Sequence, residues 1–143
     1  MRKNGCKDTK NNLPLPQGIN IKMAEHNTTG KKGEAMALEH LRKEGLEVIT
    51  TNWRQGHLEI DIIAKEGNQL VIVEVKSRHS DRWGEPETAV DKKKQRFLGQ
   101  AANEYIFQTD YTGETRFDII GILFTPQGHQ LVHVRDAFFP GLF

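Results

Sequence analysis

EIDIIAKEGNQLVIVEVKSR, residues 59–78, wraps two apolar runs around Gly67-Asn68 and seeds them with Glu59, Asp61, Glu74 and Lys76. The alternation and the turn residues predict a β-hairpin, with strands over Ile60–Ala64 and Leu70–Lys76 and a two-residue loop. If Glu66 faces Gln69, residue numbers across the pair sum to 135. Asp61 then opposes Glu74, Glu59 opposes Lys76, and Ile63 opposes Ile72. Side chains alternate with period two. Ile60, Ile62, Ala64, Val71, Val73 and Val75 therefore form an apolar face, and the four charged residues gather at one end of the other.

Opposed carboxylates repel each other. They are tolerated where something positive lies between them. Lys76 is one candidate, and a divalent cation is the better one, because hard ions prefer carboxylate oxygens. The plainer alternative is a solvated strand face with a Glu59–Lys76 ion pair, and a one-residue slip of register would undo the acid pair.

Working outward, Thr28 or Thr29 is a helix cap, and the helix runs to about Glu44 with Gly45 as its stop. Its stripe is Ala37, Leu38 and Leu41. Glu34 precedes them at helical spacing, so it shares their face and aims a third acid toward the sheet. Leu46–Thr51 reads as a strand. Residues 79–87, with Gly84 and Pro86, read as a loop. Thr88 is expected to open a second helix to about Phe107, carrying Val90, Phe97, Leu98, Ala101 and Tyr105 on one face. Lys94 falls on that inner face, where snorkelling and phosphate contact are equally good readings. Arg116–Phe124 and Gln130–Val134 complete the strands. The order α-β-β-β-α-β-β predicts an α/β fold, one mixed sheet with helices packed on it.

The chain has 143 residues, 36% apolar and 27% charged, with a mean hydropathy of −0.61. That composition suits one globular domain over residues 27–143, with 1–26 as a polar extension expected to be disordered. No run approaches the roughly 18 apolar residues of a membrane span, and the basic start lacks the apolar segment of a secretory signal. Cys6 is the only cysteine. These features predict a cytoplasmic protein with no membrane partner. Net charge is only +1, so a nucleic acid would be held by local patches. Residues 1–32 carry seven Lys/Arg against Asp8 and Glu25, and Lys92-Lys93-Lys94-Gln95-Arg96 forms a second cluster. Solvated surfaces explain both equally simply. Trp53 and Trp83 read as packing residues rather than base-stacking ones, and His129 and His133 as strand residues without ligand spacing.

Asp61, twelve residues, then Glu74-Val75-Lys76 resembles the motif of the PD-(D/E)xK nucleases. The wider pattern is more specific. It runs through Gly30-x-x-Gly33-Glu34-x-x-Ala37, Asn52-x-Arg54, Glu59-Ile60-Asp61, Val73-Glu74-Val75-Lys76-Ser77-Arg78, Gly84-x-Pro86, Lys94-Gln95, Ala101 with Tyr105, and Arg116-Phe117-Asp118. Together these resemble the bacterial YraN-type family of endonucleases over roughly residues 27–140. Leu58 departs from the family's usual Gly before Glu-x-Asp.

The resemblance implies a restriction-endonuclease-like core. It implies that Asp61 and Glu74 hold Mg²⁺ or Mn²⁺ with the Val75 carbonyl, and that Lys76 orients or activates the attacking water. It makes Glu34 an accessory acid acting through water or a second ion. Arg54, Arg78, Lys92, Lys93, Lys94, Gln95 and Arg96 are the expected nucleic-acid contacts. The expected activity is metal-dependent hydrolysis of DNA phosphodiesters, branched or repair intermediates among the substrates. The alternatives are a nucleic-acid-binding module without turnover and a protein-interaction adaptor. For the adaptor, the apolar end Phe138-Phe139-Pro140-Gly141-Leu142-Phe143 offers a surface for a partner or a second copy, or else a cover for the core.

Overall fold

The computed structural model describes residues 21–79 and 90–141, with side chains from Thr29 on. Helix α1 spans Ile21–Lys43. Strands β1 (Glu47–Gln55), β2 (Leu58–Glu66) and β3 (Gln69–Arg78) follow, then helix α2 (Lys92–Thr109) and strands β4 (Glu114–Thr125) and β5 (Gly128–Val134). The order matches the sequence reading. The five strands form one sheet in the order β1-β2-β3-β4-β5. Its pairs are antiparallel except for β3 with β4, which is parallel. A parallel pair needs a crossover, and α2 supplies it.

Two helix starts differ from expectation. α1 begins at Ile21, ahead of Thr28 and Thr29. No proline interrupts residues 21–29, so nothing forces the helix to wait for those threonines. Of the expected extension 1–26, residues 1–20 lie outside the described residues and 21–26 belong to α1. α2 begins at Lys92, because Asp91 caps it by accepting from the Lys94 N–H at 2.8 Å. Asp is a strong cap. Thr88, Trp83, Gly84 and Pro86 lie outside the described residues.

The hairpin register is the predicted one, from Glu66↔Gln69 through Ile63↔Ile72 to Ile62↔Val73. Gly67, at φ +60°, makes the tight turn that an L side chain would strain. Ile62, Ala64, Val71 and Val73 pack with Ala37 and Leu41 of α1. Ile63, Leu70 and Ile72 pack with Leu98, Ala101 and Ala102 of α2. Strands covered on both faces explain why the run reads as nearly continuous Val and Ile.

One residue leaves its predicted face. Ile60 joins the α2 cluster rather than that of Ile62. The alternation slips at Asp61, and Asn52, flanked by the pairs Thr51↔Ile62 and Trp53↔Ile60, has a left-handed φ of +52°. A left-handed residue twists a strand locally and re-aims its neighbours. Gly33 brings α1 close against β3, where a Cβ would run into the Ser77 side chain. At the chain's end Phe138 stacks on Phe117 at 5.3 Å and covers the α2-side core, while Phe139 is 84% exposed.

Candidate active site

The ladder between β2 and β3 runs out just short of the acids. Beyond Ile62↔Val73, the Val75 N–H donates to Asp61 Oδ2 at 2.9 Å. The Asp61 side chain thus occupies the seam between the strands. Glu74 stands beside it, 5% exposed. Its Oε2 lies 3.5 Å from Lys76 Nζ and 3.6 Å from Lys94 Nζ. Both distances exceed those of a good charge-assisted hydrogen bond, so Glu74 is buried with loose partners.

That arrangement perturbs Asp61. Burial raises its carboxyl to about 7, and the charge of Glu74 adds to the rise. The Val75 N–H and Lys94 pull the other way, and Glu34 pushes up again. A carboxyl lifted first by burial and then by a like charge is of the kind that clusters at functional sites.

Glu34 reaches this region from α1, its Oε1 accepting from Asn52 Nδ2 at 3.0 Å. Among the described residues, no three His, Cys, Asp or Glu side chains converge tightly enough to cage an ion. The donor set that does converge, Asp61 and Glu74, is all oxygen, with Lys76 and Lys94 as loose counter-charges. It fits a hard ion of the Mg²⁺ type, which keeps most of its water and takes one or two carboxylates.

The remaining expected residues divide. Lys92, Lys93 and Arg96 are exposed on the first turns of α2. Arg78 is exposed at the end of β3, donating to the Ser77 carbonyl. Arg54 pairs with Glu59 at 3.1 Å and is 70% exposed. The expected Glu59–Lys76 pairing is therefore replaced, because β1 brings Arg54 opposite Glu59 while Lys76 turns to Glu74. Lys94 faces the acid site, and Gln95 Nε2 donates to the Val90 carbonyl at 3.1 Å. Trp53 packs edge-on to Tyr105, as a packing residue should.

A second polar cluster escaped the sequence reading. Asp118 is fully buried. It accepts from Arg116 Nε at 2.8 Å and Nη2 at 2.9 Å, from His133 Nε2 at 2.8 Å and from the Asp136 N–H at 2.9 Å. His133 Nδ1 meets His40 Nε2 of α1 at 3.0 Å. Burial works against the Asp118 charge, but the bonds from His133 and Arg116 prevail and hold its carboxyl below the usual range. Arg116 and Arg135 also reach Glu66. One signal was available: an aspartate inside the apolar run Phe117–Phe124 needs partners. A cavity of about 500 Å³ lies near that end, lined by Glu66, Asn68, Gln69, Thr112, Gly113 and Glu114. It shares no residue with the acid site.

No described helix is long and apolar enough to cross a membrane. The model of a family described as "Uncharacterised protein family UPF0102" matches residues 33–122, a span holding Glu34, Asp61, Glu74, Lys76 and Lys94. A UPF0102 protein of Christiangramia forsetii is 44% identical over 117 residues, covering 82% of this chain and 98% of the relative. One of Bacteroides thetaiotaomicron is 43% identical over 123 residues, covering 85% and 100%. One of Porphyromonas gingivalis is 37% identical over 118 residues, covering 81% and 87%. These names carry no activity, but over most of its length, and across the sheet that brings the acids together, the chain belongs to the UPF0102 family, the YraN family of the sequence resemblance.

Proposed function

We propose that this protein is a cytoplasmic, metal-dependent endonuclease that hydrolyses DNA phosphodiester bonds, branched or repair intermediates among its substrates. The observation that carries the reading is the Asp61–Glu74 pair. Two carboxylates meet at the end of a ladder, largely out of water, with loosely placed lysines and one carboxyl raised to about 7. A fold gains no stability from such a pair, whereas a cation site needs one.

Asp61 and Glu74, with the Val75 carbonyl, hold Mg²⁺ or Mn²⁺. When bound, the ion supplies Lewis-acid charge at the phosphate and acidifies a water. Lys76 and Lys94 bracket Glu74, so their ammonium groups lie where a scissile phosphate would gather negative charge. Lys76 orients the attacking water, and Glu34 is the accessory acid. Lys92, Lys93 and Arg96, with Arg78 and Arg54, grip the flanking phosphates. These contacts are sequence-independent and screened by salt.

Linear duplex, branched DNA, single strands and RNA, each incubated with Mn²⁺, Mg²⁺ or EDTA, test the reading. Metal-dependent cleavage of DNA, abolished by Asp61→Asn and Lys76→Ala with binding retained, is expected. Wild-type protein that binds DNA and cleaves none of these substrates in either metal overturns it and leaves a binding module.

A further inference from the structure

We propose that Asn52 is a positioning residue of the acid site, holding the Glu34 carboxylate in place as an outer acid that meets a bound ion through water. This rests on the cation-site reading above and assigns it a further member.

Asn52 sits in the interior of β1, where the pairs on either side leave it facing Asp61. Its φ of +52° is foreign to a strand. Glycine would adopt that angle freely, so the backbone alone does not call for a side chain here. Asparagine tolerates the left-handed region and brings an amide. That amide donates to Glu34 Oε1 at 3.0 Å, turned off the strand's alternation by the same φ. Backbone held in such a conformation at an acid cluster is how a site is pre-organised. α1 is fixed from the other side too. At Gly33, the residue before Glu34, the helix lies against Ser77 with no room for a Cβ. Ser77 is next to Lys76 and three residues beyond Glu74. Three elements, α1, β1 and β3, thus register Glu34 against the pair on β2 and β3. Asn52 is exposed and Glu34 half-buried, so the bond lies at the surface rather than in the sheet's core.

Calorimetry with Mn²⁺ alone on the full chain tests the assignment. Asn52→Gly keeps the backbone at ease and removes the amide. Asn52→Asp keeps the shape and replaces the donor by an oxygen. Each should weaken Mn²⁺ binding by about 10-fold, the scale for partners that orient metal ligands, with melting in EDTA no lower than wild type for Asn52→Gly. In a Glu34→Gln background, Asn52→Gly should have no further effect, because Asn52 acts through Glu34. Unchanged Mn²⁺ affinity in both single variants overturns the proposal, as do losses that simply multiply in the double variant. Should Asn52→Gly fail to fold, Asn52→Asp carries the same test. If Asp61→Asn also binds Mn²⁺ as wild type does, the cation site itself has failed. If Asp61→Asn alone abolishes binding, only the role of Asn52 falls.

Discussion

Asp61 on β2 and Asp118 on β4 are carboxylates of one sheet, and their surroundings are opposite. Four hydrogen bonds of 2.8–2.9 Å saturate Asp118, two of them from one guanidinium. Asp61 has one backbone N–H and a like charge beside it. The first carboxyl is held below its ordinary range and the second is lifted to about 7. Asp118 is fully buried and Asp61 only half-buried, so exposure alone would lift Asp118 further, and the partners decide. A saturated buried charge ties segments of the chain together. An unsaturated one leaves charge that an external partner could neutralise, and the proposed function rests on that contrast.

The largest effect should come from breaking the saturated end. Asp118→Asn removes the bidentate partner of Arg116 and leaves it Glu66 as counter-charge, a loss on the order of 3 kcal/mol. Urea melts at neutral pH measure it, while calorimetry should find Mn²⁺ affinity unchanged. A loss under about 1 kcal/mol would erase the contrast.

The next effect belongs to the cation. At a free concentration 100 times its Kd, Mg²⁺ or Mn²⁺ should stabilise wild type by about 2.7 kcal/mol. Asp61→Asn should gain nothing. Identical wild-type melts with and without millimolar metal would count against the site.

Smaller again, and of opposite sign to Asp118→Asn, is Asp61→Asn in EDTA. A carboxyl whose folded pKa is raised destabilises the fold when ionised. Its penalty grows as pH rises from the ordinary 3.8 toward about 7 and is complete above that. At about 1.4 kcal/mol per pH unit the ceiling is about 4 kcal/mol. Asn keeps an acceptor for Val75 but must place its own NH₂, so a gain of about 1–2 kcal/mol at pH 8 is expected. The gain should vanish near pH 4. Asp118 has the reverse dependence: its stabilisation is present above the unfolded pKa and lost as pH falls through its lowered folded value. Melts at pH 8 and pH 4 read the Asp61 sign and melts carried down to pH 2 read that of Asp118, and a destabilised Asp61→Asn at pH 8 would make the two aspartates alike.

The smallest effect is in the basic patch. Alanine at Lys92, Lys93 and Arg96 should each flatten the salt dependence of DNA binding by about one unit of slope. A slope that stays at its wild-type value would relegate these residues to a solvated helix face.

The hairpin register was legible because period-two alternation and Gly67-Asn68 are local signals, and so was the inward position of Lys94, which helical spacing fixes. The slip at Ile60 was not legible, because it accompanies a left-handed Asn52 on the neighbouring strand. Nor was the start of α2, since Thr88 and Asp91 are both good caps and only the chain's path chooses between them. The Asp118 cluster was hidden for a different reason. His40, Arg116 and His133 come from three elements, and no spacing in the sequence marks their meeting. Glu34 was legible as an inward acid, yet its bond to Asn52 was not.

The span of sequence closed by each cluster has a consequence in time. Asp61 and Glu74 lie on one hairpin with a two-residue turn, and hairpins close in about 1–10 μs. The bonds around Glu66, Arg116 and Arg135 join residues 50 to 91 apart. Such contacts come late, because loop closure must precede them. The two acids therefore come together while much of the chain is still unordered, before Lys94 on α2 arrives. The bonds from Arg116 and Arg135 to Glu66 and Glu44 close near the end and act as a brake on leaving the native state. Stopped-flow on Glu66→Gln, which weakens both long-range bonds to Glu66, should show faster unfolding with the refolding arm unmoved. A slowed refolding arm would reverse that order of events.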